Sequence, residues 1–248
     1  MGRAPDLSLS QRATVQHLRT QNSLDHLKEQ LLTMASYAEG AVKRALKALM
    51  RRDDELARET DQKDDLIDRL EMEIDELALD LLVRRPRPLE LRLIAVAMKI
   101  SHNLERVGDE ATTISRRVIE LGQEPQLQQA ADIPAMANLV LPMLKDALDA
   151  FVSGKVDQAL AVIPRDKAVD ALNRRLHQEL ADVMAQRPST ISRCLNLMVI
   201  SKSLERIGDH ATNVAEEVVY LYEGRDIRHE QIQAPAGTDP ASPSINGP

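Results

Sequence analysis

The stretch Ile100-Ser-His-Asn-Leu-Glu-Arg-Val-Gly-Asp-Glu-Ala-Thr112 returns 100 positions later, without a gap, as Ile200-Ser-Lys-Ser-Leu-Glu-Arg-Ile-Gly-Asp-His-Ala-Thr212. In the first copy the apolar residues Ile100, Leu104, Val107, Ala111, Ile114, Val118 and Leu121 step by four and three in alternation. In the second, Ile200, Leu204, Ile207, Ala211, Val214, Val218 and Leu221 do the same. That spacing draws one stripe along an α-helix, suited to packing between two partner helices at a shallow angle.

Upstream the match continues at an offset of 102, with one two-residue length change near 84–88. Asp64 and Asp68 fall on Asp166 and Asp170, Ala45 on Ala147, and Met34 on Met136. A period this long indicates a duplicated domain rather than a solenoid. Between Asp6 and Ala234 there are only seven prolines and six glycines, most of them where helices should begin or end. The segments between them are rich in good helix formers. They predict six helices, over Ser10–Arg52, Asp54–Arg84, Leu89–Leu121, Ile133–Ser153, Val156–Gln186 and Thr190–Tyr222. Pro142 and Pro164 imply a kink or a later start in the fourth and fifth. The expected fold is all-α, with two tandem three-helix bundles over 1–122 and 133–224 and a linker at 123–132. The Pro-rich stretch 225–248 reads as a disordered tail.

Composition narrows the function. With no Trp, one Phe and three Tyr, the chain lacks the aromatic platforms that grip single-stranded nucleic acid. A net charge of −7 argues against a duplex-binding face. A lone Cys194 excludes a disulfide framework and Cys-ligated metal clusters, and fits a reducing cytoplasm. There is no signal-peptide pattern at the N-terminus and no apolar run long enough to span a membrane. No phosphate-binding Gly loop, Glu-x-x-His pair or His-Glu-x-x-His motif is present, and no positioned His accompanies both Ser101 and Ser201. Nothing points to an enzyme. The unpaired His102, His177 and His210 read as surface histidines.

What recurs is acidic. Glu105 and Asp109 lie four apart and therefore on one helix face, nearly opposite the apolar stripe, together with His102, Thr112 and Arg116. Glu205 and Asp209 repeat the pair. Asp64 and Asp68, then Asp166 and Asp170, add a stripe on each second helix, so that two carboxylate pairs could meet in one groove per half. Such a cluster suits a hard cation. A plain acidic surface is the competing reading, but Glu71 becomes Asn173, Asp75 becomes His177 and His102 becomes Lys202 while both acidic pairs persist. Gly108 and Gly208 cost helix stability and read as points of close backbone packing.

At Leu104-Glu-Arg-Val-Gly-Asp109 and Leu204-Glu-Arg-Ile-Gly-Asp209 the chain resembles the PhoU family, accessory proteins of the phosphate-specific transport system. The resemblance runs from about Leu24 to Tyr222 and includes Pro88-Leu-Glu-Leu-Arg92. It implies a pseudo-twofold pair of bundles and a homodimer. It implies metal ions in the grooves (iron, zinc, manganese or magnesium), with Glu105, Asp109, Glu205 and Asp209 as ligands and Asp64, Asp68, Asp166 and Asp170 beside them. It also implies a non-enzymatic negative regulator. Such a protein acts between the ATPase subunit of a phosphate ABC transporter and a phosphate-sensing histidine kinase, and meets the membrane only through these partners. Family members often carry Asn four residues after the motif Asp. Asn213 keeps it and Thr113 does not, which favours the second site. A metal-free scaffold whose acidic grooves bind a basic partner is the alternative.

Overall fold

The computed structural model of the chain describes residues 9–63, 65–127 and 132–228. Among these there is no β-strand. The helices are α1 (Leu9–Arg51), α2 (Asp54–Gln62), α3 (Asp65–Val83), α4 (Pro88–Gly122), α5 (Asp132–Ser153), α6 (Val156–Val162), α7 (Asp166–Gln186) and α8 (Ile191–Glu223). α1, α2–α3 and α4 pack as one bundle, and α5, α6–α7 and α8 as its repeat. The tail from 229 onward lies outside the described residues, as does Asp64.

The main local departure from the expected helices is that each second helix is interrupted. The first divides between Gln62 and Asp65, and the second at a 3-10 turn over Ile163–Arg165. Pro164 accounts for the second break, since it has no N–H to give and its ring opposes the preceding turn. Pro142, by contrast, is absorbed inside α5. It and Asn138, whose carbonyl loses its partner, both face solvent, where water can replace the missing donor.

The helix ends follow from local chemistry. Asp53 caps α2, its Oδ1 accepting from the Leu56 N–H at 2.9 Å. α4 opens on Pro88, with the Glu90 carboxylate accepting from the Arg87 N–H at 2.8 Å and from its guanidinium. α8 stops at Gly224, which takes a left-handed φ of 71° that any side chain would resist.

Both predicted stripes are buried, apart from Leu121 at the end of the first, which is half-buried. Ile100, Leu104, Val107, Ala111 and Ile114 are fully enclosed, and so are Ile200, Leu204, Ile207, Ala211, Val214 and Val218. The core is aliphatic, with Phe151 its one buried aromatic ring among the described residues. The free Cys194 is buried as well. No helix among the described residues is long and apolar enough to cross a membrane.

The two bundles join through α4 and α8, which run antiparallel against each other. Contacts with Glu217, His210, Arg206 and Arg193 on α8 come in turn from Lys99, Asn103, Glu110 and Glu124, so one number falls as the other rises. Arg92 and Lys99 both lie over the Tyr220 ring, at 5.5 and 5.3 Å from its centre. α4 and α8 are therefore central helices, each holding a bundle core on one side and the other half on another. Leu104→Ala or Leu204→Ala should each cost about 2–5 kcal/mol of stability, read as a lowered denaturant midpoint.

Candidate metal centres

The acidic edge of each central helix is covered at its glutamate and open at its aspartate, Asp209 being exposed and the Asp109 side chain 44% exposed. The Glu105 side chain is 17% exposed and that of Glu205 12%. Thr112, expected on the open face, is buried. The covering element is the second helix of the same half. Its interruption starts α7 at Asp166 and α3 at Asp65, which sets carboxylates in the first turn of each, where the helix dipole favours negative charge.

In the second half the four expected carboxylates converge. Asp209 is pushed up to about 6, first by burial, then by Glu205, Asp166 and Asp170, against the pull of Lys202. Asp166 is raised by burial and by the charges of Asp170 and Glu205. Its Oδ1 is buried with no hydrogen-bond partner among the described residues. Lys202 holds Glu205, with Nζ 2.6 Å from Oε1 and 2.5 Å from Oε2. Asp170 approaches Arg174 at 3.5 Å.

In the first half, Asp68 is raised by burial and by Asp109 and Asp65. Glu105 is raised by burial and by Asp109, with Glu71 adding to the rise while Arg106 and His102 oppose it. Asp64 lies outside the described residues. The fixed cation here is Arg106, whose Nε is 3.2 Å from Glu105 and whose Nη1 is 3.1 Å from Asp109. The equivalent Arg206 turns the other way and pairs with Glu110 on α4 at 3.0 Å. An arginine thus bridges the Glu–Asp pair in one half, and a lysine holds the Glu alone in the other.

Two further expectations need correcting. Asn213 does not serve the second groove: its amide donates to Asn103 across the α4–α8 contact at 3.2 Å. The imidazole of His210 meets the same oxygen at 2.9 Å, and burial lowers its proton affinity. Gly208 is not forced by tight backbone packing. A Cβ there would sit 3.6 Å from Asp166 Oδ1 and 3.7 Å from Val169, which are ordinary contacts. What the glycine leaves open is the space beside the partnerless carboxylate oxygen.

Sequence reasoning also missed a convergence. Glu71, His102 and Glu105 place donor atoms within 4.8 Å of one another. The available signal was the i, i+3 spacing of His102 and Glu105 on one helix.

Each groove offers carboxylate oxygens to which too few protein cations are matched. Such a donor set could hold hard cations or iron, and a cation beside Asp166 Oδ1 would supply its missing partner. In the metal-free protein the crowding has a pH signature. A carboxyl raised to about 6 keeps its proton in the folded state while the unfolded chain releases it near pH 4. Its contribution to stability is therefore present below that range and lost as pH rises towards 6 and beyond. Asp209→Asn should flatten this decline and leave the apo-protein more stable than wild type at pH 7, measured as denaturant midpoints at pH 5 and 7 in the presence of chelator.

A family model described as the PhoU domain matches residues 31–118 and again 133–218. A relative from Pseudomonas aeruginosa, named as a phosphate-specific transport system accessory protein PhoU homolog, is 40% identical over 208 residues, covering 83% of this chain and 86% of the relative. A Pseudomonas putida protein of the same description is 37% identical over 233 residues, covering 90% and 91%. The crystal structure of PhoU from Pseudomonas aeruginosa superposes with a TM-score of 0.81 at 38% identity, over 83% of this chain and 99% of that one. A phosphate transport system regulatory protein PhoU from Streptococcus pneumoniae gives a TM-score of 0.78 at 27% identity, over 84% and 99%.

Proposed function

The chain belongs to the PhoU family, and on that premise we propose that it is a cytoplasmic, non-catalytic regulator of phosphate uptake and signalling whose two grooves bind metal ions. The relatives named above are accessory or regulatory proteins of phosphate transport. Its partners are the ATPase subunit of a phosphate ABC transporter and a phosphate-sensing histidine kinase. It represses the starvation response when phosphate is plentiful. It works as a homodimer and reaches the membrane only through these partners.

One observation carries the metal reading. Carboxylates that repel one another are held together in each half, partly out of water, with Asp166 Oδ1 left unpartnered. Burying like charges is costly unless something neutralises them. The alternative, a metal-free scaffold whose grooves receive a basic partner, fits less well. Lys or Arg side chains of a docking protein can reach the exposed Asp68, Asp109 and Asp209 but not easily Glu105 and Glu205, which are largely covered. A bare ion has no such difficulty.

The residues that would hold metal are Glu205, Asp209, Asp166 and Asp170 in one half, and Glu105, Asp109 and Asp68 in the other, with Asp64 as a further candidate. The ions would supply compact positive charge that fixes second and third helices together. Lys202 and Arg106 set what that charge must compete with.

Replacing both Glu205 and Asp209 with Ala should remove the metal of the second half from protein purified without chelator, while the helical circular dichroism is kept. Retained metal would refute the ligand assignment. Deleting the gene should switch on a phosphate-starvation reporter at high phosphate, and an unchanged reporter would refute the regulatory role.

A further inference from the structure

The two halves differ at one corner, just beyond the carboxylate grooves. In the second half it is closed by neutral hydrogen bonds. The buried Ser201 hydroxyl donates to Asn173 Oδ1 at 2.8 Å, and His177 Nε2 lies 3.0 Å from Ser201 Oγ. Beside them Lys202 neutralises Glu205. The corresponding positions of the first half carry Glu71, Asp75, Ser101 and His102. Ser101 turns to the Met34 sulfur at 3.3 Å instead. Glu71 Oε1 lies 3.3 Å from His102 Nδ1, and with Glu105 these side chains bring an imidazole nitrogen and two carboxylates within 4.8 Å.

We propose that Glu71, His102 and Glu105 form a mononuclear site for a divalent transition-metal ion of the Zn²⁺ or Fe²⁺ class, built in the first half alone. The donor chemistry sets the class. Mg²⁺ and Ca²⁺ favour shells made of oxygen, whereas an imidazole with carboxylates suits borderline metals. Two carboxylates and a neutral imidazole offset the charge of one such ion. Ligand bonds of about 2.0–2.2 Å place tetrahedral donors about 3.4 Å apart, so the present spread closes through side-chain rotation of about an ångström. The three residues come from two packed helices, α3 and α4, and His102 is exposed, which leaves a route in from solvent and positions open for water. Arg106, 3.2 Å from Glu105 Oε2, is the cation the metal competes with. The second half has lost both outer donors, since Asn173 and Lys202 stand in their places, and it serves as an internal control. The site borrows Glu105 from the first groove and requires neither Asp68 nor Asp109.

The test is equilibrium dialysis of the full chain against Zn²⁺ and, separately, Mg²⁺. Four proteins are compared: wild type, His102→Gln, the double variant Glu71→Asn with His102→Lys, and Glu205→Ala with Asp209→Ala. The second variant writes the second half's own residues into the first, and its helical circular dichroism is checked against wild type. Both first-half variants should lose one equivalent of Zn²⁺, weakened by more than the roughly 10–100-fold that removal of an outer-shell partner costs. Mg²⁺ uptake of His102→Gln, which adds no charge beside Glu105, should be unchanged. The second-half variant should keep that Zn²⁺ equivalent. A visible Co²⁺ band present in wild type should vanish with His102→Gln. Zn²⁺ binding equal to wild type in both first-half variants overturns the site. If the second-half variant alone then loses metal, the groove reading of the preceding section stands without it.

Discussion

Each central helix has more neighbours than it has sides. The apolar stripe of α4 or α8 must face its own bundle, and another side must meet the opposite half along the antiparallel α4–α8 contact. With those two sides committed, the acidic edge lies along the second helix, its glutamates covered and its aspartates open to solvent. The stripe supplies the free energy that holds it there, because each enclosed Leu or Ile contributes about 1.5–3 kcal/mol. A modest repulsion between carboxylates four residues apart, about 0.2–0.5 kcal/mol in an isolated helix, cannot open such a bundle. The grooves are thus built by hydrophobic burial acting elsewhere, and the price appears as raised proton affinity at Asp209, Asp166, Asp68 and Glu105.

Duplication has given two grooves on one plan with different internal cations. A single difference across the repeat explains much of it. Position 110 is Glu where 210 is His, so Arg206 finds a carboxylate across the α4–α8 contact, while Arg106 faces a histidine and turns back onto Glu105 and Asp109. Pairing between the halves thereby decides which groove keeps an arginine. In the same way Lys202 offsets Glu205, where the first half has a histidine and an additional glutamate. The halves are alike in backbone and unlike in the charge and donor atoms that an incoming ion would meet.

The sequence by itself determined the class of the fold and its repeat. A stripe stepping by four and three, written twice at an offset of 100 residues, admits an α-helix and little else, because only that period puts all seven residues of each copy on one side. It also marked Glu105, Asp109, Glu205 and Asp209, since a face that persists while its neighbours diverge stands out in any internal alignment. The tertiary structure decided what surrounds those faces. Helical periodicity gives the direction of a side chain but not what lies opposite it, so covered Glu105 looked the same as exposed His102. The break that sets Asp166 at the start of α7, the turning of Asn213 and Arg206 towards α4, and the meeting of Glu71 with His102 all depend on residues between 31 and 110 positions away or on a helix end. One chain segment read alone carries no information about which distant atoms will fill the space beside it, and only packing fixes that.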